Sequence, residues 1–468
     1  MKNSILEFLT ILDLIVFFGV LAGTFAAVIF GRKILKTGKA DSPVSVLLAG
    51  RKLTLPFFVA TLVATWYGGI FGVTEIAYSK GIYNFITQGV FWYFTYIIFA
   101  FFLAKKIRKT KSLTLPELAG DMFGEKSKFV VSIFNIFNVI PIAYSLSIGI
   151  FIDSIFNIGL VYSTLIGTGI VILYSMFGGF RAIILSDLVQ FFVMVSSVLL
   201  VLIYSVQHFG GLEYLKSNLP TTHFDPTGGQ SIFAVLVWGI IALSTLVDPN
   251  FYQRIFSANS ASTAKKGILF ATIVWIIFDI STTAGAMYAA THLKNIDPSQ
   301  AYLYHALAIL PDGLRGFFLA GILATILSTL DSYLFIASTT FVYDIMKKKT
   351  KILRAHHIST VAVGVFSALM SFAFTGGIKD VWKTLGSYSA GCLLIPMGLA
   401  LFTRFRLSDI QFVICSLVSA ILITIWRFLP RSGIWGEIDD LYAGLAGSII
   451  TILVILITKQ GRRTQKAS

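Results

Sequence analysis

Residues 321–334 read GILATILSTLDSYL, inside a long apolar run that begins near Phe317 and has the length of a helix in lipid. Thr325, Ser328, Thr329 and Ser332 fall at i, i+3, i+4 and i+7, so four hydroxyls share one helical face, with Asp331 at the edge of the arc. A carboxylate within a membrane helix costs about 2.5–3.5 kcal/mol on insertion scales, so Asp331 is expected to face a partner, a cavity or an ion. Hydroxyl and carboxylate oxygens together suit a hard cation. Ser and Thr are also small residues that let helices approach closely. With Asp331 beside them, the pattern favours an ion site.

The composition agrees with a polytopic membrane protein: 56% of the 468 residues are hydrophobic, 13% are charged, and mean hydropathy is +0.83. The net charge of +15 does not indicate a nucleic-acid partner. Lys and Arg cluster in short loops between apolar runs, at 32–39, 105–111, 347–354 and 459–466, and alternate with base-poor loops. Assigning alternate loops to opposite sides puts roughly 28 of the 37 basic residues on one side, which is then the cytoplasm. This topology places the N-terminus outside and the C-terminus in the cytoplasm. Cys392 and Cys415 lie in apolar runs and read as buried small hydrophobes. The six His residues show no HExxH or similar spacing. The apolar segment 8–30 is too long for the core of a signal peptide and reads as a spanning helix.

About thirteen spans follow from the apolar runs: 8–30, 55–78, 82–104, 129–155, 158–176, 183–206, 232–253, 267–291, 313–343, 356–375, 384–403, 408–428 and 441–458. They form one transmembrane unit over 1–468, with no linker long enough for a second soluble domain. Residues 55–206 and 232–403 each open with an interrupted helix, Gly68-Gly69 in one and Asp248-Pro249 in the other. Paired interruptions of this kind point to inverted repeats and to a binding site near the midplane. Unwound backbone there frees carbonyls for a cation. Two ordinary Gly and Pro kinks are the plainer reading of the same residues.

Four stretches in this order, AGRKLTLP at 49–56, GGFRAIILSDLVQ at 178–190, YQRIFSANSASTAKKG at 252–267 and ILSTLDSYLFIAST at 326–339, resemble the sodium/solute symporter family of proline, sugar, choline and pantothenate carriers. The resemblance covers nearly the whole chain. It implies a leucine-transporter-like, all-α fold of ten core helices in two inverted repeats of five, with one extra helix before them (8–30) and two after (408–458). It also implies Na⁺ as coupling ion, a small solute as cargo and the lipid bilayer as surroundings. Carried over by motif, the shared Na⁺ site takes carbonyls from Ala64 and Tyr67 and side-chain oxygens from Ser328 and Thr329. Thr325 stands where the family offers the carbonyl of a small residue. A second Na⁺ site of some members maps onto Asp187, Ser328, Asp331 and Ser332; the family's Ser is replaced by Asp331 here. Asp187 and Asp331 are therefore either a second Na⁺ site or a proton-responsive pair.

For the solute, the resemblance singles out Trp66 and Gly68 at the helix break, Tyr93 as an aromatic cage residue, and Asp248 at a solute-contact position. A carboxylate with aromatic faces suits an organic cation or an amine. Pro141 stands near where choline carriers supply another cage Trp. Asp248 as a mere helix cap and Trp66 as mere packing are the alternatives. Asp279, mid-span, is expected to have a buried partner on a neighbouring helix, and Arg254 to anchor a loop or a carboxylate. Glu75 and Asp153, near outer span ends, are expected to be hydrated. Two other functions are open: a proton-coupled carrier of the same fold, and a solute sensor, whose signal would need a separate partner. No Ser-His-Asp, HExxH, Cys-His or phosphate-loop pattern supports an enzyme.

Overall fold

The computed structural model describes residues 5–34, 42–176, 179–348 and 352–464. Parts of the basic loops at 32–39, 347–354 and 459–466, and Gly178, lie outside the described residues. The described elements are helical apart from one isolated bridge, Leu53 to Ala258. In order they are α1 (Ile11–Ile34), α2 (Leu55–Ala64), α3 (Ile70–Lys80), α4 (Phe85–Arg108), α5 (Glu125–Val139), α6 (Ile142–Phe156), α7 (Leu160–Ser175), α8 (Phe180–Phe209), α9 (Ile232–Leu243), α10 (Pro249–Ser257), α11 (Ala261–His292), α12 (Pro298–Ile309), α13 (Leu314–Thr339), α14 (Ile352–Ser371), α15 (Gly377–Phe402), α16 (Asp409–Phe428) and α17 (Asp440–Thr464), with shorter turns between them. Eleven described helices are long and apolar enough to cross a membrane; the broken pair α2–α3 and the shorter α7 complete the thirteen spans of the sequence reading.

Both interruptions are present. The helix α2 ends at Ala64 and α3 resumes at Ile70; α9 tightens through Ser244–Val247 before α10 starts at Pro249. Close approach, beyond conformational freedom, requires the glycines at the first break. A Cβ on Gly69 would lie 2.0 Å from the Trp382 ring, and one on Gly68 would lie 2.5 Å from Thr329 Cβ. A third break, read as continuous helix from sequence, separates α5 from α6 at Ile140-Pro141. Ile140 is extended (φ −66°, ψ 122°), because the following proline disfavours the helical backbone and brings no N–H of its own. The eleventh span starts at Gly377 and not near 384, which brings Trp382 into the bundle.

The hydroxyl-bearing α13 is the hub. It packs against α1, α6, α8 and α14, and nearly nine-tenths of its apolar window is buried. Its start is fixed by Asp13 of α1, whose carboxylate accepts from the backbone N–H of Gly313 (2.7 Å) and Gly316 (3.0 Å) as well as from Thr10. Those N–H groups belong to a helix N-terminus that has no intrahelical acceptor for them. On the opposite face the AGRKLTLP stretch clamps loops together. Ala49 and Arg51 take left-handed backbone (φ 49° and 57°), and the Arg51 guanidinium donates to the carbonyls of Thr110, Lys111 and Ser112. Cys392 and Cys415 are buried free thiols.

Candidate functional site

The end of α2 and the middle of α13 bring oxygens together with too few protons. Ser328 Oγ lies within hydrogen-bond distance of the carbonyls of Ala64 (2.7 Å), Ala324 (2.8 Å) and Thr325 (3.2 Å). Thr329 Oγ1 lies 3.2 Å from the Ala64 carbonyl and 3.0 Å from that of Thr325. Each hydroxyl has one proton to give, and the Ala64 carbonyl has lost its helical partner because α2 stops there. The Thr325 side chain is turned away onto the Ile322 carbonyl, leaving its backbone oxygen toward the cluster. Tyr67 continues the unwound stretch, with its ring stacked on Phe278. All five residues are buried. Such a cluster of neutral oxygens can take a hard monovalent cation.

One turn further along α13 is a charged cluster. Asp187 is fully buried; its Oδ2 accepts from Thr61 Oγ1 at 2.5 Å and lies 4.0 Å from Arg254 Nη2, while Oδ1 has no hydrogen-bond partner among the described residues. The same Nη2 donates to Ser332 Oγ at 2.8 Å. Arg254, which the span boundaries leave at the start of an inner loop, is fully buried and does face a carboxylate. The amphipathic α10 carries it inward, a periodicity too short to separate from a loop in the sequence. A guanidinium thus stands beside Asp187, and Asp331 is buried as well.

On the other side of the first break, a cavity opens against Trp66, Asn138, Tyr144, Trp238, Asp248 and Trp382. Asp248 has two jobs. Its Oδ1 caps α10 by accepting from the N–H of Asn250 (2.8 Å) and Phe251 (3.2 Å), and its Oδ2 is 3.5 Å from Asn138 Nδ2 at the cavity. Trp66 both lines the cavity and packs edge-on against Tyr96 and Phe251. Two of the expected solute contacts lie outside the lining of this cavity. Tyr93 is absent from the lining; its hydroxyl donates to Asp279, which also accepts from Tyr67 at 2.8 Å, and Trp92 lines the cavity instead. Gly68 sits between Thr329 and Tyr144, off the cavity wall. Asp279 thus has the buried partners expected of it. Trp382 and Trp238 reach the cavity from α15 and α9. Glu75 is not simply hydrated: it pairs with Lys379 at 2.6 Å, both side chains remaining partly exposed.

A bundle with two broken helices, an oxygen cluster at one break and a cavity beside it defines an ion-coupled membrane carrier. A family model described as the sodium:solute symporter family matches residues 46–406, and the chain belongs to that family. It is similar to the high-affinity proline transporter PutP of Bacillus subtilis, 24% identical over 75% of this chain and 77% of that one. It is also similar to the sodium/glucose cotransporter of Vibrio parahaemolyticus, 25% identical over 78% of this chain and 75% of that one. Among solved structures, a Na⁺-coupled sialic acid symporter in a substrate-bound outward-open state superposes with a TM-score of 0.77 at 18% identity, covering 95% of this chain and 96% of that one. The fold is the leucine-transporter-like inverted repeat. The chain is a multi-pass membrane carrier and not an enzyme, its activity is sodium-coupled symport, and Na⁺ is its coupling ion.

Proposed function

We propose that this symporter imports a small organic amine, cationic or zwitterionic, by alternating access of the cavity at Asp248. The observation that carries the reading is the Asp248 Oδ2, held only by a long 3.5 Å contact from Asn138 Nδ2, on a cavity walled by the indoles of Trp66, Trp238 and Trp382. A carboxylate attracts the ammonium, and indole faces add roughly 0.5–2 kcal/mol of cation–π attraction. In this reading Ala64, Tyr67, Thr325, Ser328 and Thr329 hold the first Na⁺. Asp187, Asp331 and Ser332 form a second cation position, at which Arg254 competes for the same oxygens. The repeats run over 55–206 and 232–403, the basic loops face the cytoplasm, and the N-terminus lies outside.

The test is a thermal-shift panel on the purified protein, with amines, betaines, sugars and carboxylates each measured in Na⁺ and again in K⁺. A ligand at about 100 times its Kd stabilises by about 2.7 kcal/mol, readable as a melting shift. An amine that raises the melt in Na⁺ only, and accumulates in proteoliposomes under a Na⁺ gradient, is the expected result. A sugar or carboxylate acting in its place refutes the amine reading and leaves symport intact. Stabilisation without accumulation would favour a sensor.

A further inference from the structure

At the end of the bundle away from the basic loops, two imidazoles meet. The helix α11 begins beside Ala258, whose carbonyl binds Arg108 on the basic face, and runs 32 residues to His292 on the opposite face. His305 comes from α12, and its Nδ1 faces His292 Nε2 at 3.5 Å. The protons around the pair can be counted. Ser205 donates its hydroxyl proton to the Val201 carbonyl at 2.6 Å, and its oxygen lies 2.8 Å from His305 Nε2. Thr291 donates to the Tyr288 carbonyl at 2.7 Å, and its oxygen lies 3.2 Å from His292 Nδ1 and 3.3 Å from the Tyr214 hydroxyl. With both hydroxyl protons on those carbonyls, the outer ring nitrogens are the donors and the two facing nitrogens present lone pairs. Two lone pairs turned toward one another at this distance can hold a cation between them.

We propose that His292 and His305 form a binding site for a divalent transition-metal ion, with Zn²⁺ as the fitting case and water in the remaining positions. Zn–N bonds of about 2.0–2.1 Å at a tetrahedral angle put two ligand nitrogens about 3.4 Å apart, close to the separation found. The hydroxyls of Ser205 and Thr291 are the outer-shell acceptors that metal-bound imidazoles need on their second nitrogen. Phe209 stacks on His292 (5.0 Å) and on His305 (5.9 Å), fixing both rings. His305 itself is fully buried. His292 is exposed and gives the ion its entry, while the nearby Lys294 ammonium is turned onto the Ala290 carbonyl. Because α12 packs against α3, the half of the broken span past the ion cluster, a metal joining α11 to α12 also stiffens the segment beside the cavity.

The experiment is a Zn²⁺ titration of the melting temperature, in chelator-free buffer, on tag-free protein and on three variants. An upward shift with Zn²⁺ and none with Mg²⁺ is expected, absent in His292→Ala and retained in His292→Cys, because thiolate is also a zinc ligand. His292 is exposed, so its variants keep the fold, and His305→Ala serves as the second loss-of-site variant where it folds. The proposal is overturned if Zn²⁺ produces no shift, or if His292→Ala responds like the unaltered protein. Neither outcome touches the solute or Na⁺ assignments, which rest on other residues.

Discussion

Ser328 and Thr329 have two hydroxyl protons between them and several carbonyls to satisfy, so the break at Ala64 is short of positive charge. Interactions with a charged group are worth roughly 1.5–3 kcal/mol each, and about 1.4 kcal/mol is a factor of ten. Replacing both by Ala (Ser328→Ala with Thr329→Ala) should raise the Na⁺ concentration for half-maximal uptake by at least about tenfold. Each variant side chain is smaller and buried among helices, so membrane insertion and the size-exclusion profile should hold. An unchanged Na⁺ dependence in proteoliposomes would remove these oxygens from the coupling site. Asp187 and Arg254 show why a residue's neighbours matter more than its type. The sequence pairs Asp187 with another acid on α13, while the fold places a guanidinium 4.0 Å from it, and only the three-dimensional packing of α10 reveals that.

At the scale of elements, the junction of α1 with α13 makes a separate prediction. Asp13 is buried and is the acceptor for two backbone N–H groups at the start of the hub helix. In Asp13→Ala those groups lose their acceptor, at about 1–3 kcal/mol for each buried donor left unpaired. The melting temperature should fall clearly, while Asp13→Asn, which keeps an oxygen, should lose less; equal losses in a thermal melt would refute the acceptor role. The helices themselves were largely legible, because span length, the Gly-Gly and Asp-Pro interruptions and the hydroxyl periodicity of α13 are all local patterns. The cavity was half legible. Trp66 and Asp248 sit at breaks that the sequence marks, but Trp382 was lost with the true start of α15. Tyr93 came from the resemblance alone, and its neighbour Trp92 lines the cavity, in a helix whose π-helical stretches at Phe85–Val90 and Phe99–Leu103 turn its faces away from the 3.6-residue period. The Pro141 break was legible in principle, since proline disfavours helix in the residue before it.

Over the whole molecule, the unwound residues between α2 and α3 connect the proposed ion and solute sites. Ala64 presents its carbonyl to the hydroxyls of α13, and Trp66, two residues on, forms a wall of the cavity proposed for the solute. Gly68 is pressed against Thr329 and Tyr144, and Tyr144 lines that same cavity. A ligand on either side must therefore order one segment of five or six residues, and the second ligand finds that ordering already done. Linkage makes the effect reciprocal: the factor by which Na⁺ tightens solute binding equals the factor by which solute tightens Na⁺ binding. Couplings of this kind are typically about 1–3 kcal/mol, or about 5–150-fold. Calorimetric titration of Na⁺ with and without the solute, and of the solute with and without Na⁺, should give the same factor in both directions. Gly68→Ala would put a Cβ 2.5 Å from that of Thr329 and 2.8 Å from the Tyr144 ring, forcing the segment off α13. The variant should shrink the coupling factor toward one, with a smaller loss of solute affinity measured in K⁺. If its coupling factor stays at the level of the unaltered protein, the two sites communicate by another route, and the rocking of whole helices against the α13 hub becomes the better account of how the gradient is used.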